Sequence, residues 1–520
     1  MYSRDTHDGD KEKRGKRVTK LYLFGQRVID FFWLILFGTT LFKAWTSINL
    51  ILGDNSFYGT STTLLTTFGI IFLVVFFSLY HSVSSIHEVV YHIFVENWHW
   101  TASFLLILVI AFQLFFVINV HPVSGFDAGM LHYAAVSKKH VLEPNVAAYY
   151  SLNQNNLPIT LVMRWLVVKT GQTSWLFFDL LTVALVDLSA FLNLGSIYCL
   201  KPAALPGAIY LHCGWLFFFP SIIMPYTDAW VLPFVSLYLL CSIILTKPKL
   251  FLGYRLVAAV LFGISAVLTY WIKPSAIIPV IAMVLIVILR SFKGLKTLMK
   301  GHWADAILIT IVLMESAGVT YRQIDHSIKA QTYIKVDQSR AIPAIHFMAM
   351  GVYGQGGYSE KQAVKMTILP TKQQKTAYSK KMLIKRLKAL GPWGYFKFLI
   401  TKQGNNTADG TFGWLREGHF FRENQKPSDR GISNRLKNYI YLYGRHIADF
   451  RFWSQAWWVF FLSLIALGWG RRSDEIQTLR LSLIGGFLFL LLFEGGRSRY
   501  VIQYLPVLLV LAALSVEQAQ

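Results

Sequence analysis

Long apolar runs separated by short polar breaks dominate this chain. About twelve stretches approach or exceed the roughly 20 residues that a helix needs to cross a bilayer. They are 28–51, 64–82, 99–120, 175–199, 204–224, 229–246, 253–271, 275–291, 304–321, 453–470, 480–494 and 499–515. The runs are continuous, whereas strands of a membrane barrel would alternate. The pattern therefore predicts an all-α polytopic membrane protein. The run from Leu157 to Val168 is apolar but short, and it contains Arg164. A full crossing there would invert every later loop, so the run reads as re-entrant or interfacial, unless another crossing restores the parity.

The polar remainder divides the chain. A basic tail (1–27) precedes an N-terminal membrane region (28–321), whose third span opens into a loop at 121–156. A polar region (322–452) follows and reads as a mixed soluble domain on the outer face, and a C-terminal membrane region (453–520) closes the chain. The polar region holds 23 Lys plus Arg against eight Asp plus Glu. Within it, Gln373 to Leu390 reads as a basic amphipathic helix that Gly391-Pro392 stops.

Composition agrees with the pattern. Hydrophobic residues make up 54% and charged residues 15%, where soluble proteins carry about a quarter charged. The net charge of +23 suits basic loops at anionic lipid and is accompanied by no nucleic-acid-binding module, so no nucleic-acid partner is expected. Cys199, Cys213 and Cys241 lie in or beside apolar runs and suggest neither a disulfide framework nor a zinc site. The first apolar run lacks a small-residue cleavage site and reads as an uncleaved span. Short basic segments favour the cytoplasmic side. The N-terminus, Lys201, Lys247 to Arg255, Arg290 to Lys300 and Arg471 to Arg480 all fall on one side of the predicted spans. That leaves the 121–156 loop, Tyr226-Thr-Asp228, Trp271-Ile-Lys273-Pro-Ser275 and the stretch from Glu494 to Tyr500 on the outer face.

Asp127 follows the third span. A carboxylate shielded by lipid and aromatic groups is a good proton acceptor, which suits a general base; the same residue could equally cap an interfacial helix. Asp228 fits an acceptor-hydroxyl, metal or sugar contact, or a helix cap. Lys273, Arg497 and Arg499 break the inside bias of positive charge and fit an anionic ligand, although Lys273 could also snorkel beside its aromatic neighbours. Asn155 and Asn156 precede Pro158 and fit either polar contacts or a helix start. Asp179 and Asp187 lie inside a span, where acids are costly and often functional; Ser189 or Asn193 would be structural partners for Asp187. Gly351 to Tyr358 is glycine-rich without nucleotide-loop spacing. The stretch Asn405 to His419 fits carbohydrate or packing of the domain onto the spans.

Taken together, Asp127, Asn155-Asn-Leu-Pro158, Pro225-Tyr-Thr-Asp228, Lys273-Pro-Ser275 and Arg497-Ser-Arg499-Tyr500 resemble the GT-C superfamily of polytopic glycosyltransferases. That superfamily includes protein O-mannosyltransferases, lipid A aminoarabinose transferases and PIG-V-like mannosyltransferases. The chain is similar in particular to a group of integral membrane proteins of Gram-positive bacteria. The resemblance implies transfer of a sugar, with inversion, from a polyprenyl-phosphate donor to an envelope polysaccharide, teichoic acid or glycolipid outside the cell membrane. Asp127 would act as base, Asp228, His132, Asn155 and Asn156 would bind substrate, and Lys273, Arg497 and Arg499 would hold the donor phosphate. The acidic pair common in such loops is here Asp127-Ala128, which puts a divalent metal in doubt, and no other cofactor is required. A flippase for lipid-linked glycans and an O-antigen-type polymerase share these features and remain alternatives.

Overall fold

The computed structural model describes residues 5–291, 303–413, 426–493 and 495–516, with residues 5–19 described by their backbone alone. The side chains of the N-terminal cations up to Arg17, the 292–300 part of the basic loop, residues 414–419 of the aromatic and amide stretch, and Glu494 lie outside the described residues. Among the described residues helices dominate, and strand pairing is confined to a two-stranded hairpin that joins Asp54–Asn55 to Thr60–Ser61. Among the described residues, 11 helices are long and apolar enough to cross a membrane.

The predicted span 204–224 is the difference. It forms a helix over Leu205–Phe217 and a short 3-10 turn over Pro220–Ile223. Pro220 cannot donate a hydrogen bond, and it holds the preceding Phe219 off helical geometry at φ −108°, ψ 85°. The two pieces still carry the chain back across. Trp175 begins a 26-residue helix, Trp175–Leu200, and stacks on His132. That helix is about 39 Å long at 1.5 Å per residue. Tyr226 has returned to the starting end, where it bonds Asp127.

The ambiguous run forms Leu157–Thr170 and lies along Phe126–Val136. Arg164 donates to the Ala135 carbonyl at 3.2 Å, and just beyond the helix the Thr173 carbonyl lies 2.9 Å from His132 Nε2. Its middle and the chain just past its end thus stay beside one short helix, and 14 residues span only about 21 Å, short of a bilayer core, so the segment does not carry the chain across.

Leu505–Val516 runs through the centre of the bundle and is apolar on every side, as a surrounded helix must be. Leu252–Ile272 packs between Trp303–Ala330 and Leu232–Leu245. Gly263 makes one of these contacts possible, because a Cβ there would lie 2.7 Å from the Leu313 carbonyl oxygen. At the start of Asp474–Leu492, Asp474 pairs with Arg290 at 2.9 Å, and Arg480 donates to the Gly468 and Trp469 carbonyls at 2.9 Å. The other end of that helix leads to Arg497 and Arg499.

The polar region contributes Ala344–Met350, Glu360–Ile368, Lys372–Thr407 and Ile432–Ile440. Gly391-Pro392 ends the first helix, as expected: Gly391 takes φ +62°, ψ 176°, and a second helix begins at Pro392 and runs to Thr407. This second helix turns inward, burying Lys402, Gln403, Asn406 and Thr407 against the spans.

Candidate functional site

The helix Phe126–Val136 begins seven residues after Trp98–Asn119 ends, and it carries Asp127 in its first turn. Gly125 occupies the cap position. Phe126 adopts φ +47°, a conformation uncommon for a side chain of this size and of a kind concentrated at functional sites. Gly129 lets the turn close, because a Cβ there would meet the Ser124 carbonyl oxygen at 2.5 Å.

The Asp127 carboxylate is therefore used elsewhere. Oδ1 accepts from the Tyr149 hydroxyl at 2.6 Å and Oδ2 from the Tyr226 hydroxyl at 3.1 Å. Asn156 caps Leu157–Thr170 by position only, since its Nδ2 donates to the Tyr149 oxygen at 2.6 Å. Burial first, and the Asp127 charge second, push both phenols well above the ordinary tyrosine range. Both remain proton donors at neutral pH.

Asp228 lies in the first turn of Thr227–Trp230, where Tyr226 holds the cap position. Its Oδ1 forms an ion pair with the Lys273 ammonium, while Oδ2 is buried without a protein partner. Lys273 ends Leu252–Ile272 in extended backbone. Its ammonium lies 5.5 Å from the centre of the Tyr500 ring, and the Arg499 guanidinium carbon lies 4.8 Å from the same ring. Lys273 also feels the charges of Arg499 and Asp127, and Tyr226 those of Asp127, Arg499 and Asp228. Segments far apart in sequence thus meet at one end of the bundle.

The polar region grips the segment that bears the arginines. Lys402 is fully buried and donates to the carbonyls of Gly351, Leu491 and Phe493 at 2.7, 2.9 and 2.6 Å. All three ammonium donors are used, two of them at the C-terminal end of Asp474–Leu492, where the helix dipole favours a cation. Beyond it, Gly495 N–H donates to the Gly356 carbonyl at 3.0 Å and Gly496 N–H to Asn406 Oδ1 at 2.5 Å. Ser498 Oγ donates to the Asn405 carbonyl at 3.1 Å. The glycine-rich stretch and the Asn405 stretch thus pack the polar region onto the spans.

Five residues singled out in the sequence meet here: Asp127, Asn156, Asp228, Lys273 and Arg499. Asn155 reaches them indirectly, through Asn156 Oδ1 at 3.1 Å. Arg497 is half-buried, with its Cβ beside Gly413. His132 turns away: its ring stacks on Trp175 at 4.0 Å, and burial lowers its pKa to about 4. Asp179 and Asp187 do not pair with Ser189 or Asn193: Ser189 bonds Ser236 at 2.7 Å, and the Asn193 amide has no protein partner. The sequence reading missed the tyrosines 149, 226 and 500. Tyr226 and Tyr500 stand inside the motifs that carry Asp228 and Arg499, and Tyr149 inside the 121–156 loop, but a phenol carries no charge signal in an apolar chain. Among the described residues, no group of three His, Cys, Asp or Glu lies together to hold a metal.

Residues 21–520 match the family of conserved hypothetical integral membrane proteins. The chain belongs to that family. Comparison with curated proteins gave no match. A solved structure, ArnT from Cupriavidus metallidurans bound to undecaprenyl phosphate, aligns over 80% of this chain and 77% of its own, at 10% identity and a TM-score of 0.31. The architecture of this family member therefore rests on its own helices: a multi-span integral membrane protein with a polar centre at one end of the bundle.

Proposed function

We propose that the protein is a membrane glycosyltransferase that moves a sugar from a polyprenyl-phosphate donor to an anionic cell-envelope acceptor on the outer face. One observation carries the reading: a carboxylate held by two phenols interacts with the charge of Lys273, and Arg499 acts on both Lys273 and the Tyr226 phenol beside it. A base and an anion-binding group belong together when a hydroxyl must be activated while a phosphate departs.

In this reading, Asp127 accepts the proton of the acceptor hydroxyl. The oxygen forms a bond to the anomeric carbon, from the face opposite the carbon–phosphate oxygen bond that breaks. The electron pair leaves with the lipid phosphate, and the configuration inverts. Lys273 and Arg499 neutralise the charge growing on that phosphate, each contributing on the order of 2–4 kcal/mol in a low-dielectric site. General-base help contributes roughly 10²–10⁴-fold. The Tyr149 and Tyr226 hydroxyls fix the carboxylate orientation, which a near-attack geometry requires.

The test is transfer from a polyprenyl-phosphate hexose by the purified full chain in detergent, without nucleotide or ion gradient. Asp127→Asn should abolish turnover while thermal unfolding stays near that of the parent. Wild-type turnover in a folded Asp127→Asn protein would overturn the base assignment. Movement of intact donor between leaflets without transfer would overturn the reaction class in favour of a flippase.

A further inference from the structure

The helix that runs from Pro392 to Thr407 carries three large apolar side chains that the fold leaves open. Trp393, Phe396 and Ile400 are 67%, 49% and 37% exposed. With Gln403 and Thr407 they follow one another at spacings of three, four, three and four residues, which puts all five on one face. We propose that this helix is a membrane anchor, with Trp393, Phe396 and Ile400 embedded among the lipid chains of the leaflet at the end of the bundle that holds Asp127.

The far end of the face fixes its depth. Gln403 Nε2 donates to Thr40 Oγ1 at 3.1 Å and to the Leu36 carbonyl at 3.4 Å, and Thr407 Oγ1 lies 2.7 Å from Thr40 Oγ1. Leu36 and Thr40 belong to the first span, whose helix ends at Trp45. At 1.5 Å per residue they lie about 14 and 8 Å short of that end. On the same stretch, Ile35 and Phe42 are exposed apolar side chains, as positions facing lipid are.

The same contacts fix the direction. A helix descending along the span would carry Thr407 one turn deeper than Gln403. Instead Thr407 stays level with Thr40, while Gln403 reaches as far as Leu36. Trp393 lies about 15 Å from Gln403 along the axis, and the helix does not rise out of the bilayer on the way back to it. The face that meets the first span at bilayer depth therefore continues past that span, and lipid is what surrounds a span.

The side chains suit that position. Trp393 stacks on Phe396 at 5.6 Å, and tryptophan favours the lipid–water boundary. Lys397 flanks the face with its ammonium 5.6 Å from the Trp393 ring centre, where its apolar stem can reach up to lipid phosphate. No acidic residue occurs between Lys372 and Thr407 to repel that phosphate. Lys402, which grips the segment bearing the arginines, follows Ile400 by two residues, so the anchor ties that grip to the leaflet. The proposal does not depend on the reaction assigned to Asp127.

The experiment attaches a nitroxide to Trp393→Cys, Phe396→Cys and Ile400→Cys, one at a time, in the full chain reconstituted into vesicles of phosphatidylglycerol and phosphatidylcholine. The parent, labelled in the same way, supplies the background of its own three cysteines. Ile71→Cys, at an exposed position of Leu64–Ser82, gives the lipid reference. Oxygen, which concentrates in lipid, should relax all three labels several-fold more than a nickel chelate present on both sides of the membrane, as at Ile71. A label on Lys397→Cys should read shallower than one on Phe396→Cys. Where one variant does not fold, the other two positions carry the test. Relaxation by the chelate that exceeds relaxation by oxygen would place the face in water and overturn the proposal. Weak relaxation by both would mean that protein, such as a second copy of the chain, covers the face, and overturns it too. An equal or reversed order of depth at 397 and 396 overturns the orientation of the helix.

Discussion

The Tyr149 hydroxyl takes a hydrogen bond from Asn156 Nδ2 and gives its own proton to Asp127 Oδ1, both at 2.6 Å. The direction is forced, because an amide N–H can only donate and a phenol has one proton. Asn156 therefore orients Tyr149, and Tyr149 orients the carboxylate. Tyr149→Phe removes the relay with little change in volume. It should lower turnover by roughly 10- to 100-fold, the scale of a small misplacement of a reacting group. Asn156→Ala should show a smaller loss of the same kind. Initial rates with saturating donor check this; unchanged rates in a folded Tyr149→Phe protein would remove the relay from the mechanism.

Asp228 and Lys273 make a second coupled pair. Both are buried, at 2% and 9% exposure, and the second Asp228 oxygen has no protein partner. Lys273→Met would leave a buried carboxylate unpaired, which typically costs about 3–5 kcal/mol. Adding Asp228→Asn should recover much of the lost thermal stability, because the stranded charge goes with it. Transfer should stay low in the double variant, since the cation facing the leaving phosphate is still absent. Detergent thermal unfolding and transfer rates on the three proteins decide the matter. Recovery of both together would make the pair purely structural.

Lys402 tests whether the polar region shapes the centre from a distance. Its ammonium is the hub that joins Gly351 to the end of the helix leading to Arg497 and Arg499. Lys402→Met keeps the length and leaves three buried carbonyls unsatisfied, each costing about 1–3 kcal/mol before relaxation. The expected signature is a rise of roughly tenfold in the apparent Kd for lipid phosphate, with turnover at saturating donor less affected. Lys402→Arg should restore part of the affinity. A fall in turnover with unchanged affinity would mean that the clamp does not position the arginines.

Much of this architecture was legible because a bilayer demands long apolar helices, and loops beside them carry a charge bias. Asp127, Asp228, Lys273 and Arg499 stood out as charges in a poor place for charge. The broken return crossing at Phe219-Pro220 was hidden, because hydropathy counts apolar residues and is blind to a lost backbone donor. The stop at Gly391-Pro392 was legible, because a left-handed glycine followed by proline ends a helix; the new helix that begins at Pro392 was not, because it is the burial of Lys402 and Asn406 against the spans that rewards it. The phenol relay was illegible because Tyr149 and Tyr226 are ordinary interfacial residues until folding brings a carboxylate between them. His132 shares a helix with Asp127, but it lies five residues on, on another side of that helix, where it stacks on Trp175 and bonds the Thr173 carbonyl.

Acid should destabilise the protein through two histidines outside the spans. Burial, reinforced at His346 by Arg386 and Lys375, lowers the pKa of His346 to about 4, and burial lowers that of His132 to about 4. An unfolded histidine titrates near 6.5. As pH falls through 6.5 the unfolded chain takes up protons that the folded chain refuses, so stability is full above that value and declines toward pH 4. The shift corresponds to an upper bound of roughly 3 kcal/mol per histidine. His346→Gln should remove about half of this decline, and the slope of unfolding midpoint against pH between 6.5 and 4 reads it directly. An identical slope in parent and variant would show that His346 is not held neutral by its surroundings.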